Sequence, residues 1–307
     1  VLVLIGGLGL FLYGMMMMWD GLELVAGSRL KKLLAVLTSN RLLAVLVGLA
    51  VTAVIQSSSA TTVMVIGFVN AGLMNLAQAV GVIMGANIGT TVTSQLIAFK
   101  IGDFTLTDLA PIAVGIGVGF IMFCKKPTIK HVGQVVAGFG ILFMGMDTMS
   151  TAMEPLQQVP EFVNLLTQFQ NPLIGILVGA LFTAVIQSSS ASVGILQALA
   201  MQGLIGLDGA IFVLFGQNIG TCVTALLSAI GTNKTAKRAA VVHLLFNVVG
   251  TIIFVPIAMF LPFVDWMQMI TDNIPQQIAN THIVFNLVST AILLPAAPLL
   301  LKAANFI

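Results

Sequence analysis

The chain has 307 residues, of which 58% are hydrophobic and only 7% charged, and its formal net charge is +2. Soluble domains carry about 25% charged residues, so this composition specifies an all-α polytopic membrane protein and leaves no polar stretch long enough to fold alone. So small a net charge gives no reason to expect a nucleic-acid partner; the lipid bilayer is the expected surroundings.

Residues 1–19 are apolar and close to the roughly 20 residues that a crossing requires. Without a basic flank they read as a spanning helix rather than a signal peptide. Residues 20–41 set Leu22, Val25, Leu30, Leu33, Leu34 and Leu37 against Arg29, Lys31, Lys32 and Arg41, the pattern of a helix lying in the interface. Residues 42–73 are apolar but interrupted by Gln56-Ser57-Ser58-Ser59, and apolar spans follow at 76–98, 107–124 and 131–153. The plan then repeats: a loop at 154–172, an interrupted segment at 173–204 and a span at 207–230. Two further spans cover 239–263 and 278–301. Cys124 and Cys222 are too few for a disulfide framework and read as free thiols packed as small hydrophobes.

The repetition is literal at its polar centre. Thr52 to Ala60 recurs letter for letter as Thr183 to Ala191, 131 positions downstream. The same offset carries Gly85-Ala-Asn87-Ile-Gly89-Thr90 onto Gly216-Gln-Asn218-Ile-Gly220-Thr221. It also carries Gly7, Gly14, Met15 and Glu23 onto Gly138, Gly145, Met146 and Glu154. An ungapped register over about a hundred residues is an internal duplication. The expected division is a first repeat at 1–124 with a re-entrant hairpin at 42–73, and a second at 131–263 with a hairpin at 173–204. A further C-terminal transmembrane helix falls within 264–307.

Charge placement gives the two copies opposite directions. The basic clusters are Arg29 to Arg41, Lys125 to Lys130, and Lys234 to Arg238, with Lys302 beyond them. The intervening loops hold Asp and Glu with a single Lys100. Placing every basic loop in the cytoplasm satisfies the positive-inside rule only if each interrupted segment enters and leaves on one side. That reading puts residue 1 outside and residue 307 inside, in the plasma membrane, which is the inner membrane of a two-membrane cell. The basic loop of copy one then aligns with the acidic loop carrying Glu154 and Glu161, as an inverted repeat requires.

Inverted repeats with broken helices place a transport site near the bilayer midplane, where the repeats meet. Each second half-helix would begin at the serines, aiming free N–H groups and the positive end of its dipole at the centre. Two such tips make an anion site without Lys or Arg. Asn87-Ile-Gly-Thr90 and Asn218-Ile-Gly-Thr221 read as a second pair of breaks, each within a transmembrane helix; the alternative is glycine packing with an interhelical Asn bond. His243-x-x-Phe246-Asn247 and His282-x-x-Phe285-Asn286 share one spacing; metal binding or proton relay is weighed against interhelical hydrogen bonds by a neutral ring. Asp147 is an acid inside the 131–153 span, near its outer end, and the Met15–Met18 run reads as packing or lipid-facing surface. No nucleotide loop, metal cluster or nucleophile–His–acid arrangement is visible, so no catalytic residues are assigned and no enzyme is expected.

Paired Gln-Ser-Ser-Ser motifs, each followed by Gly-x-Asn-Ile-Gly-Thr, resemble the type II sodium–phosphate cotransporter family. Arg238-Ala-Ala-Val-Val-His243-Leu-Leu-Phe246-Asn247 is similar to its later motif, and Gly7 to Tyr13 to the opening of bacterial members. The resemblance implies sodium-driven uptake of inorganic phosphate by alternating access, with sodium ions as coupling ion and no other cofactor. It also implies that Gln56 to Ser59 and Gln187 to Ser190 line the sites. Many bacterial relatives carry a soluble C-terminal helical domain, and mammalian ones a disulfide-bearing loop; neither carries over to these residues.

The expected site has phosphate between the tips, held by Ser58, Ser59, Ser189, Ser190, Asn87 and Asn218. Sodium ligands are expected from Gln56, Ser57, Thr90, Gln187, Ser188 and Thr221. Rival readings are a sodium-coupled carrier of sulfate or a dicarboxylate, and an anion channel. The sequence leaves the oligomeric state open, a homodimer included.

Overall fold

The computed structural model describes residues 2–36, 40–101 and 104–305. The side chains at 26–39 and 100–107, among them Arg29, Lys31, Lys32 and Lys100 of the charge argument, lie outside the described residues. The described chain is helical apart from a two-strand ribbon, β1 Lys100–Ile101 paired antiparallel with β2 Phe104–Thr105.

The first copy comprises α1 Leu2–Val36, α2 Arg41–Ile55, α3 Ser58–Asn70, α4 Leu76–Ala98 and α5 Leu106–Phe123. The second comprises α6 Pro127–Met153, α7 Pro160–Thr167, α8 Pro172–Ile186, α9 Ser189–Met201, α10 Leu207–Ser228 and α11 Lys234–Phe260. Then follow α12 Phe263–Ile270, α13 Ile274–Leu293 and α14 Ala297–Ala304. Five helices are long and apolar enough to cross a membrane: α1 (over Leu2–Val25), α4, α6, α10 and α11. Residues 278–301, expected as one straight span, fall on α13 and α14, which bend by 83°.

Three further expectations change on the structure. The interfacial helix expected at 20–41 is not separate, because α1 continues to Val36. Gly21 explains part of this: a Cβ there would sit 2.9 Å from the His131 carbonyl oxygen, so α1 stays in close contact with α6. The loop expected at 154–172 is largely helical, with α7 started by Pro160 between two 3-10 turns. The breaks expected at Asn87–Thr90 and Asn218–Thr221 are not formed, since α4 and α10 run through both segments.

The glycines in those segments serve packing instead. A Cβ on Gly85 would lie 1.9 Å from the Val45 carbonyl oxygen, and one on Gly216 2.0 Å from that of Ile176. Each thus lets its long helix press against the first half-helix of its own hairpin, α2 on α4 and α8 on α10. Small residues that bring backbones together are the usual device for helix pairing in lipid, where tails are as apolar as leucine. Asn87 and Asn218 bond their own helix, to the carbonyls of Ile83 and Leu214 at 2.9 Å each. With those amide groups satisfied in place, nothing pulls the helices open.

The interrupted segments do break. α2 and α3, at 15 and 13 residues, span about 22 and 20 Å, short of the roughly 30 Å of a hydrocarbon core. The Thr52 and Thr61 hydroxyls meet at 2.9 Å, although nine residues of straight helix would hold them about 13 Å apart. Thr183 and Ser192 meet likewise at 2.7 Å, so both hairpins fold at the same place by the same bond.

Candidate functional site

The fold of each tip comes from one backbone feature. Gln56 and Gln187 adopt the left-handed conformation, with φ of 61° and 58°, and are the only non-glycine residues to do so among those described. Glycine usually fills this position at a helix end, because a Cβ there costs roughly 1 kcal/mol or more. Glutamine in its place keeps a carboxamide at the tip, and such strain concentrates at functional positions. Ser57 and Ser188 follow in extended conformation as N-caps, accepting from the N–H of Ala60 at 3.1 Å and of Ala191 at 3.2 Å. Second half-helices therefore begin at Ser58 and Ser189, as expected.

The two tips touch. Ser59 Oγ donates to the Gln187 carbonyl oxygen at 3.4 Å, across 128 residues of chain. Both tips line one cavity of about 760 Å³, to which Gln56 to Ser59 and Gln187 to Ser190 all contribute. Its remaining wall includes Met15, Trp19 and Glu23 of α1 and Thr224 of α10. Among the described residues no Lys or Arg lines it, so the groups it offers an anion are hydroxyls and helix N-termini, with the Glu23 carboxylate on the same wall.

Thr93 of α4 joins the tips to the core. Its Oγ1 donates to Gln56 Oε1 at 2.8 Å and accepts from Ser190 Oγ at 3.4 Å, so it touches both hairpins. Sequence reading passed over Thr93, although the duplication could have found it, since the 131-residue offset carries it onto Thr224. The two threonines are not used alike. Thr224 Oγ1 is buried with no partner, and Gln187 is exposed where Gln56 is buried.

Eight of the twelve expected site residues are thus brought together, and four are not. Asn87, Thr90, Asn218 and Thr221 are buried and absent from the cavity wall. The Thr90 and Thr221 hydroxyls bond the preceding turn, at 3.0 Å to the Ala86 and 2.9 Å to the Gln217 carbonyl oxygen. His282 bonds between helices, with Nε2 at 3.3 Å from Asn218 Oδ1 and Nδ1 at 3.2 Å from Ser94 Oγ. Asp147 is exposed on the wall of a second cavity of about 530 Å³ that also receives Asp108 and Asp272. Of the methionine run, Met18 is buried and Met15 lies 3.9 Å from Ser188 Oγ through its sulfur. Cys124 and Cys222 are free thiols, and among the described residues no three His, Cys, Asp or Glu side chains form a metal cluster.

Comparison with known proteins gives this arrangement its context. The chain is 34% identical over 275 residues to the Bacillus subtilis (strain 168) protein YqeW, named as uncharacterized, covering 88% of this chain and 86% of that one. It is 30% identical over 257 residues to YjbB of Escherichia coli (strain K12), a protein proposed to export inorganic phosphate. That match covers 83% of this chain but only 46% of YjbB, so the chain spans about half of that relative. Human sodium-dependent phosphate transport protein 2B matches at 33% over 139 residues, 42% of this chain and 20% of that protein. No solved structure matches. The sequence model of the Na+/Pi-cotransporter covers residues 10–151 and 153–293, and the chain belongs to that family, a family of transporters and not of enzymes.

Proposed function

We propose that this membrane protein is a sodium-coupled carrier of inorganic phosphate, with substrate and sodium bound between the hairpin tips. The contact of Ser59 with the Gln187 carbonyl, on one cavity lined by both Gln-Ser-Ser-Ser runs, carries the reading. Phosphate oxygens would accept from the hydroxyls of Ser58, Ser59, Ser189 and Ser190 and from the open N–H groups of the first turns. Sodium would take oxygens from Gln56, Ser57, Gln187 and Ser188. A cation beside the anion offsets its charge, so each strengthens the binding of the other, and that reciprocity is the coupling. Asn87, Thr90, Asn218 and Thr221 act one layer back in this reading, in the helices against which the hairpins pack.

Access alternates between the two sides by exchanging the roles of the copies, the first hairpin entering from the cytoplasm and the second from outside. The chain lies in the plasma membrane with residue 1 outside and residue 307 inside. The direction of net flux follows the gradients, so a relative proposed to export phosphate fits the same machinery.

Labelled phosphate uptake into proteoliposomes tests the proposal. Accumulation above the phosphate gradient that requires sodium is expected, with sulfate and dicarboxylates competing poorly. Strong competition by sulfate or a dicarboxylate points to another anion as substrate. Flux that only follows the phosphate gradient, at channel-like rates and without sodium, overturns the carrier.

A further inference from the structure

The twin His-x-x-Phe-Asn motifs lie outside the tip cavity, yet their surroundings match. α11 packs on α10, α4 and α3; α13 packs on α4, α10 and α9, the same neighbours with the copies exchanged. Side chains agree. Phe246 of α11 shares an apolar cluster with Val80 and Met84 of α4. Phe285 of α13 shares one with Ile211 and Phe215 of α10, at the positions 131 residues beyond Val80 and Met84, and stacks on Phe215 at 5.1 Å. α11 and α13 are therefore mates in the inverted architecture, although the 131-residue register pairs α11 with α5. In that correspondence the counterpart of the His282–Asn218 pair is His243 with Asn87, a bond that is not made in this conformation.

The two histidines are in different states. His282 bridges Asn218 Oδ1 and Ser94 Oγ. The Asn218 amide nitrogen is bonded to the Leu214 carbonyl, so its oxygen faces the ring and Nε2 carries the proton, while the one Ser94 hydroxyl proton is shared between Nδ1 at 3.2 Å and the Thr91 carbonyl at 2.8 Å. Both ring nitrogens of His243 are buried without a partner, whereas the Asn247 and Asn286 Oδ1 atoms are unpaired alike, so the difference lies in the rings. A partnerless buried imidazole is rare unless another arrangement satisfies it. The same asymmetry holds at the tips, where Gln56 bonds Thr93 while the Thr224 hydroxyl has no partner.

We propose that His282 and His243 are alternately engaged positioning residues, His282 holding Asn218 in the conformation seen here and His243 holding Asn87 in the opposite one. Each histidine ties a helix outside the hairpins to the long helix against which one hairpin packs. The bond therefore favours one arrangement of the repeats over the other. The idea rests on the carrier reading for its purpose, but not for its test.

The test reads how far the tip cavity is open. Val63 lines that cavity and is 38% exposed, so Val63→Cys in a Cys124→Ser background gives a thiol whose maleimide labelling rate reports the state seen here. Cys222 is buried. In detergent without phosphate or sodium, His282→Leu should slow labelling by up to about five-fold, the population shift from losing at least the bond to Asn218. His282→Gln, which keeps an N–H for Asn218, should restore it. His243→Leu removes the partnerless ring and should leave labelling as fast as before or faster. If His282→Leu does not fold, Ser94→Ala should slow labelling in the same direction by a smaller factor. Unchanged labelling in His282→Leu, or in Ser94→Ala if that variant has to stand in, overturns the proposal. Equal slowing by His243→Leu also overturns it. Phosphate uptake by the unmodified chain tests the carrier reading separately.

Discussion

On α9 of the second hairpin, Gln197 donates to the carbonyl oxygens of Ser94 at 2.9 Å and Pro275 at 3.0 Å, while Gln217 of α10 donates to that of Ser192 at 3.0 Å. The 131-residue offset places Ile66 and Ala86 at those positions in the first copy, and Ala225 opposite Ser94. Ile66 accordingly sits in an apolar cluster with Val65, Val69, Ala225 and Ala229. Identical tips are thus seated differently in mid-helix, α9 by directional amide bonds and α3 by apolar packing, with the bonds of the first hairpin kept to its tip and to Asn70 at its end. An apolar seat has no bond to break when a helix slides, whereas an amide seat holds one register. The difference teaches that the duplication preserved the chemistry of the tips and left their supports free to diverge.

The largest effect should come where the copies are alike. Gln56→Gly and Gln187→Gly relieve the left-handed backbone while removing the carboxamide, so Gln187→Gly should fold at least as well as the parent chain, and Gln56→Gly, which also gives up the bond from Thr93, to within about 1 kcal/mol of it. Each should nevertheless lose sodium-dependent phosphate uptake by at least about ten-fold, the minimum for a lost ligand worth roughly 1.4 kcal/mol. Retained uptake in either variant would remove the glutamine side chains from the site. Next in size is Gly85→Ala, whose Cβ meets the Val45 carbonyl at 1.9 Å. It should destabilise the chain by about 1–3 kcal/mol in a thermal or denaturant unfolding series, and Gly216→Ala should match it.

The supports should separate the hairpins at a smaller scale. Gln197→Ile imports the residue of the first copy and forfeits two bonds, at about 0.6–2 kcal/mol in all by membrane double-mutant values. Protease nicking of the second hairpin should rise in that variant, while Ile66→Leu should change neither hairpin. Smallest is the threonine pair. Thr93→Val loses bonds to both tips, whereas Thr224→Val removes a hydroxyl without a partner. Thermal stability should fall by about 1 kcal/mol for the first and hold or rise for the second. A reversed order would assign the structure's asymmetry to something other than these contacts.

Much of this site was legible in the sequence because duplication marks positions without any structural knowledge. The serine tips, the half-helix starts and the two hairpins follow from nine repeated residues inside apolar segments. The misread elements have a common physical cause. Asn-Ile-Gly-Thr has the composition of a helix break, yet Gly85 and Gly216 are required by a neighbouring backbone that sequence does not display. Thr93 was missed because a threonine in an apolar helix ordinarily bonds its own preceding turn, and only the fold shows both glutamine and serine reaching it. The matching of α11 with α13 was hidden for a different reason: spatial mates need not share the register of the gene duplication.

The central claim is that the two tips form one site. Val63→Cys and Val185→Cys, each in a Cys124→Ser background, place a thiol on opposite hairpins beside the tips, at positions that line the same cavity and replace no proposed ligand. Thiol modification of each should be slowed by phosphate only when sodium is present, with the same half-maximal phosphate concentration at both positions. Protection of one tip alone, or protection indifferent to sodium, would contradict the account.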